Sequence, residues 1–153
     1  MQRHFLSQKE LKAVIEKVKQ KYNIDINPEK AEIGKEKKQI FFFFDGKLSL
    51  FSEELIPTLC LIESLKLDLP YVEVDEGAVR AILKGADLFV PGIKSFHCEN
   101  SKPGDIILVK TTAERPIAVM KMLITVEEAL STKKGKFAQS LHFLGDEIWK
   151  MCR

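Results

Sequence analysis

Apolar residues at Leu11, Val14, Ile15, Val18 and Tyr22 recur at intervals of three and four, the stripe of an amphipathic helix. Ser7 and Glu10 stand ahead of it with the spacing of a capping box, a hydroxyl at the cap and a carboxylate three residues on. Lys9, Lys12, Lys17, Lys19 and Lys21 fall mostly off the stripe, as on a solvated face or one turned toward RNA. Asn23 and Asn27-Pro28 close the helix. Gln39 to Phe44 is a strand with no polar face, so it is buried on both sides or lies under a helix. Its four consecutive rings point alternately to opposite faces, which suits core filling better than base stacking. Asp45-Gly46 comes next, a hairpin dipeptide whose residues both tolerate positive φ, and residues 47–51 alternate as a return strand. Glu53 to Leu67 reads as a second helix with Leu55, Leu59, Ile62 and Leu65 on one face. Pro57 fits its first turn, so the helix proper begins near Ile56.

Leu69-Pro70 breaks this pattern, and the remainder of the chain is richer in short strands. Tyr71 to Val74 is a strand, Asp75 a helix cap, and Glu76 to Lys84 a short helix stopped at Gly85. Leu88 to Val90 resumes a strand that Pro91-Gly92 ends. Turns at Lys102 to Asp105 and Glu114 to Pro116 flank strands at Ile106 to Val109 and Ile117 to Leu123. Thr125 to Glu128 heads a helix to Leu130, and Lys133-Lys134-Gly135-Lys136 is a basic loop assigned to solvent. Leu141 to Phe143 and Ile148 to Met151 read as strands around Gly145-Asp146. Short strands joined by tight turns predict a small mixed barrel rather than a parallel sheet. The class is therefore α+β, with residues 1–70 and 71–153 as two modules that pack together, bounded between Leu67 and Tyr71.

Composition narrows the function. Apolar residues make up 45% and charged residues 30% of 153, which fits a globular chain and neither disorder nor a fibrous repeat. The longest apolar run, Ile40 to Phe44, is far short of a membrane span, and the first ten residues hold no signal-peptide core. A cytosolic protein without a membrane role is expected. Cys60, Cys98 and Cys152 are odd in number and widely spaced, so free thiols are the simplest reading. Net charge is +2, so any nucleic-acid footprint has to come from clustering on one face.

Catalytic chemistry finds no foothold. The sequence has no Gly-x-Ser-x-Gly elbow, Walker loop or dinucleotide fingerprint. His97-Cys98 is the only adjacent His/Cys pair, and His4, His142, Cys60 and Cys152 do not complete a zinc set. Helix capping accounts for Asp75-Glu76 and Glu127-Glu128. No catalytic residue, metal or cofactor is expected.

Val74 to Val79, Lys84-Gly85-Ala86-Asp87 and Pro91-Gly92 together resemble the start of a PUA domain, the RNA-binding module named after pseudouridine synthases and archaeosine transglycosylases. Val109, Ala118 to Met122 and Leu144 to Trp149 fit the same module, and the closing segment is most similar to the malignant T-cell-amplified sequence family of translation factors. That branch joins a pre-PUA domain to a PUA domain, and residues 1–70 resemble the former in order of elements. The resemblance implies a pseudo-barrel of six strands and two helices. It implies binding of structured RNA through the first helix, the glycine-containing loop and the following strand. In that branch the proteins are implicated in handling initiator tRNA on the small ribosomal subunit, often with a second protein factor, and archaeal members are mostly stand-alone chains of this length. Phe89-Val90 departs from the smaller pair common in the family loop, which bears on base preference, and Asp87, acidic beside the expected phosphate path, is expected either to point away from it or to cap a backbone amide.

The residues agree with that implication in part, because a plain helix stop at Gly85 and a plain solvated face at Arg80 and Lys84 fit the same pattern. Arg80 and Lys84 share a helix face, where they can meet phosphates. Gly85, Ala86, Pro91 and Gly92 form a loop that another molecule can approach closely. Lys94, Lys121 and Lys150 extend the basic surface, the last two from expected strands. Two functions remain: a non-catalytic translation-associated factor contacting tRNA or ribosomal RNA, and an RNA-targeting accessory subunit of a modification enzyme.

Overall fold

The computed structural model describes residues 1–153, which divide into two compact units, Met1–Leu67 with Met151–Arg153, and Asp68–Lys150.

The first unit is an antiparallel sheet in chain order, β1 (Gln2–Phe5), β2 (Ala31–Glu36), β3 (Gln39–Phe44), β4 (Lys47–Phe51) and β5 (Ile56–Pro57). Helix α1 (Gln8–Tyr22) starts at the expected capping box, with both the Ser7 and Glu10 side chains engaged, and ends at Asn23 in the left-handed conformation. Its apolar stripe meets one face of the sheet, where Leu11 and Val18 pack with Phe42, Phe44, Leu50 and Leu55. The four phenylalanines of β3 are all buried, as a strand with no polar face requires.

Three features of this unit differ from the sequence pattern. Strands β1 and β2 leave no mark in it, because β1 is exposed along its whole length and β2 is mostly polar. Helix α2 begins only at Leu59 and ends at Leu65, capped by the Thr58 hydroxyl, while Ile56 and Pro57 form β5 instead. Proline is tolerated there because β5 lies at the sheet edge. Cys60 and Cys152 form a disulfide, with Cα atoms 5.9 Å apart, so only Cys98 remains a free thiol. Sequence spacing gives no sign of that proximity across 92 positions.

The second unit is a six-stranded sheet in the order β7-β11-β10-β9-β6-β8. Its strands are β6 (Tyr71–Val74), β7 (Leu88–Phe89), β8 (Ile93–His97), β9 (Ile106–Lys110), β10 (Pro116–Met122) and β11 (Lys136–Phe143). All pairs are antiparallel except β6 with β9. Helices α3 (Glu76–Ile82) and α4 (Val126–Thr132) are capped by Asp75 and Thr125. The core gathers Val72, Val74, Ile82, Leu88, Val109, Met120 and Phe137. Between β7 and β8, a single 3-10 turn at Val90–Gly92 joins the two edges of the sheet. The Val90 N–H donates to the Gly135 carbonyl ahead of β11, and the Gly92 carbonyl accepts from the Asp75 N–H after β6. That double attachment curls the sheet toward closure.

Residues 148–151, expected as a strand, belong to helix α5 (Glu147–Cys152). The Asp146 carboxylate accepts from the Trp149 N–H at 2.8 Å, the contact of a helix cap. Ile148 and Cys152, four apart, are the buried positions. No helix of the chain is long and apolar enough to cross a membrane.

Candidate nucleic-acid interface

Helix α3 puts Arg80 and Lys84 in solvent, with Lys84 in the turn after the helix. Gly85 ends that turn at φ +98°, a conformation that glycine adopts without strain. A Cβ there would meet the Phe143 ring at 3.6 Å, so the position faces the protein's own side chain as well as the loop. Gly92 has a different reason to be glycine. A Cβ would come within 2.8 Å of the Ala78 Cβ, so its missing side chain lets the 3-10 turn sit against α3. Ala86 and Gly92 are half-buried and Pro91 is exposed.

The remaining expected residues are dispersed. Lys94 is exposed on β8, at the sheet edge opposite β7. Lys121 is half-buried on β10, facing Gln139 across the ladder. Lys150 lies on α5 rather than on a strand and pairs with Glu147 at 3.6 Å.

The neighbourhood of Phe89 has no counterpart in the sequence pattern. This ring is 51% exposed at the edge of the sheet, and Phe89 pairs with Lys136 across β7 and β11. The Lys136 ammonium lies 5.9 Å from the ring centroid and 2.9 Å from Asp87. Asp87 also accepts from the Ser140 N–H, the amide-capping alternative of the two expected for it. That amide and Lys136 hold the carboxyl below the usual range. Lys133 and Lys134 are exposed and precede Gly135, the acceptor of the Val90 N–H. The basic loop assigned to solvent therefore borders the Gly85–Gly92 segment instead of lying away from it. A half-exposed aromatic ring among cations is chemistry suited to an unpaired base and its phosphates.

A second constellation lies on β6, β8 and β9. Tyr71 stacks on His97 with centroids 4.5 Å apart, and the Lys110 ammonium lies 3.9 Å from the Tyr71 centroid. Burial, Glu114, Glu73 and Asp68 raise the Tyr71 hydroxyl above its ordinary pKa. Ser95 Oγ donates to Glu73 at 3.0 Å and lies 3.0 Å from His97 Nε2, which is itself 3.4 Å from Glu73. In a hydrolytic triad the acid and the hydroxyl address opposite ring nitrogens. Here both address Nε2, and the hydroxyl proton is committed to Glu73. The group has the geometry of a cross-strand polar cluster, not that of a triad.

His142 is fully buried, with Nδ1 2.9 Å from the Asp146 carboxylate. Burial pushes the Asp146 carboxyl up, but His142 and the Trp149 and Phe143 amides outweigh it and hold the carboxyl below its usual range. Cys98 is 3% exposed, and burial with Glu99 pushes its thiol up to about 11.

Similarity to known proteins divides along the same two units. Residues 2–65 match a family described as a domain of unknown function, DUF1947, and residues 70–144 match the PUA domain. Translation machinery-associated protein 20 of Saccharomyces cerevisiae is 30% identical, over 82% of this chain and 75% of its own length. Malignant T-cell-amplified sequence 2 of Homo sapiens is 31% identical, over 69% of this chain and 62% of its own. A conserved PUA domain protein from Thermoplasma acidophilum superposes with a TM-score of 0.83 at 37% identity, covering 99% of this chain and all of that one. The chain therefore belongs to the family that joins a DUF1947, or pre-PUA, unit to a PUA domain, the family of the malignant T-cell-amplified sequence proteins and translation machinery-associated protein 20.

Proposed function

We propose that the protein is a non-catalytic RNA-binding factor of the translation apparatus. It contacts tRNA or the small ribosomal subunit through its PUA unit, in the company of a second protein factor. The observation that carries this reading is the neighbourhood of the Gly85–Gly92 loop. Arg80 and Lys84 lie ahead of that loop on exposed positions, Phe89 is half-exposed within it, and Lys133, Lys134 and Lys136 border it. Cations supply register on a phosphate backbone, and an exposed ring supplies a surface for a base. The names of the relatives support the translational setting.

Titration of labelled tRNA with the full chain at several salt concentrations tests the reading. With three to five phosphates engaged, log affinity falls against log salt with a slope of about −2 to −4. Changing Arg80 and Lys84 together to Ala weakens binding by about 1–3 kcal/mol, the range for charge-assisted contacts, with the melting temperature nearly unchanged. A slope of zero, or an unaltered affinity in the double variant, removes this face from the proposal. Co-sedimentation with small ribosomal subunits supports the translational role. Co-purification with an RNA-modification enzyme instead favours an accessory targeting subunit.

A further inference from the structure

The first unit contains two hairpins of the same kind with opposite chemistry at their tips. Strands β3 and β4 are joined by Asp45-Gly46, at φ 50° and 85°. Strands β2 and β3 are joined by Lys37-Lys38, at φ 51° and 67°, closed by the Glu36–Gln39 pair. Two-residue loops with positive φ at both positions are type I′ turns, which strongly prefer Asn-Gly or Asp-Gly. The Asp-Gly tip obeys that preference. In the Lys-Lys tip, two long side chains in succession occupy left-handed backbone, which L-residues with a Cβ resist. Turn geometry alone therefore does not account for lysine at either position.

The charges at this tip are also unspent. Lys35, Lys37 and Lys38 are all exposed, and none of them makes an ion pair. Glu36, which lies between Lys35 and Lys37 in sequence, faces the Met1 amine at 3.8 Å. Three cations thus project at the end of a hairpin whose base is held by the continuous pairing of β2 with β3. A rigid, protruding tip with uncompensated ammonium groups matches a phosphate backbone, because lysine contacts phosphate as a point charge without needing a planar fit.

We propose that the β2–β3 hairpin tip, Lys35, Lys37 and Lys38, is a second phosphate-contacting site for RNA, located in the first unit and separate in sequence from the Gly85–Gly92 loop. The inference rests on the RNA-binding reading above and gives the DUF1947 unit a direct part in it. The strained lysines are kept for their charge, at the expense of local stability.

The test uses a variant that improves the turn while removing the charge, Lys37→Asn with Lys38→Gly, in the full chain. Relief of the left-handed strain raises its melting temperature by about 2–6 °C, so weaker binding cannot be ascribed to misfolding. Its affinity for labelled tRNA at about 0.1 M salt falls roughly 5- to 50-fold, and the salt slope becomes shallower by about 1.4–1.8, the change expected when two phosphates are no longer neutralised. Lys37→Arg with Lys38→Arg, which keeps both charges, retains the wild-type affinity and slope. An affinity and slope equal to wild type in the Asn-Gly variant overturn the proposal. So does a lowered melting temperature, because the lysines would then suit the turn after all. If wild type itself shows no salt-dependent RNA binding, the broader functional reading fails. If wild type binds and only the Arg80/Lys84 variant is impaired, the hairpin proposal alone fails.

Discussion

Reducing the Cys60–Cys152 bridge perturbs stability through the unfolded chain, and the size of the effect depends on where the two cysteines lie. A cross-link restricts the unfolded ensemble according to the number of residues it encloses. With a separation of 92 residues, the loop-closure relation gives an entropy of about 16 cal/mol/K, or about 4.6 kcal/mol at 25 °C. Measured native bridges usually contribute about 2–5 kcal/mol, so a loss in that range is expected on reduction. The assay is urea unfolding of the full chain monitored by circular dichroism, with and without dithiothreitol. Reduction leaves both sulfurs in place, which separates loss of the cross-link from any packing change. The midpoint should fall, and the slope of free energy against urea should rise as the reduced unfolded chain exposes more surface. A Cys60→Ser/Cys152→Ser variant should be indifferent to dithiothreitol. If the oxidised protein is shown by mass to carry the bridge and its unfolding free energy is unmoved by reduction, the loop-closure argument is refuted.

Other consequences are as direct. Cys98, 3% exposed with its thiol pushed up to about 11, should resist iodoacetamide at pH 8 in the native oxidised protein and label only on unfolding. Asp146 is held below its ordinary pKa in the fold, so its contribution to stability is full above the unfolded value of about 4 and is lost as pH falls through the folded value. Asp146→Asn should therefore flatten the acid limb of an unfolding-midpoint profile, and a limb of unchanged steepness would count against the His142–Asp146 account. Gly92→Ala places a Cβ 2.8 Å from that of Ala78 and should cost about 1–3 kcal/mol by overpacking. Ala78→Gly in the same chain should recover part of that loss, as a double-mutant cycle in urea would show.

Much of this fold is legible from local chemistry alone. The Ser7–Glu10 capping box and the three-four stripe after it specify α1, and Asp45-Gly46 specifies the β3–β4 hairpin. Failures occur where neighbours elsewhere in the chain decide. Strands β1 and β8 lie at sheet edges and show little burial alternation, so the pattern that marks a half-buried strand is weak in them. Residues 148–151 are too few for periodicity to separate helix from strand, and the cap that settles the matter comes from the Asp146 side chain. In the candidate interface, family resemblance singles out Arg80, Lys84 and the glycine loop. The closeness of Lys133–Lys136 to that loop depends on Val90 bonding to Gly135 and on Phe89 pairing with Lys136. Residues that far apart in sequence carry no local signal of their pairing.

The two sheet orders imply different histories for the two units as the chain is made. In the first, every strand pairs with its neighbour in sequence, so the sheet can assemble as soon as its five strands have left the ribosome. In the second, β11 lies between β7 and β10 although it is made after both. Until residues 136–143 emerge, β7 has no partner, and the Val90 amide has no Gly135 carbonyl to meet. Cys60 waits longer still, for a partner thiol synthesised 92 positions later. During synthesis the chain thus carries a finished first sheet ahead of an open second one. The strand edge of β7 stays uncovered through the making of β8, β9, β10 and α4, and the basic loop and the Phe89 ring come together only when β11 arrives. A nascent chain therefore presents its glycine loop well before that loop has acquired the lysines of residues 133–136 that border it in the finished protein.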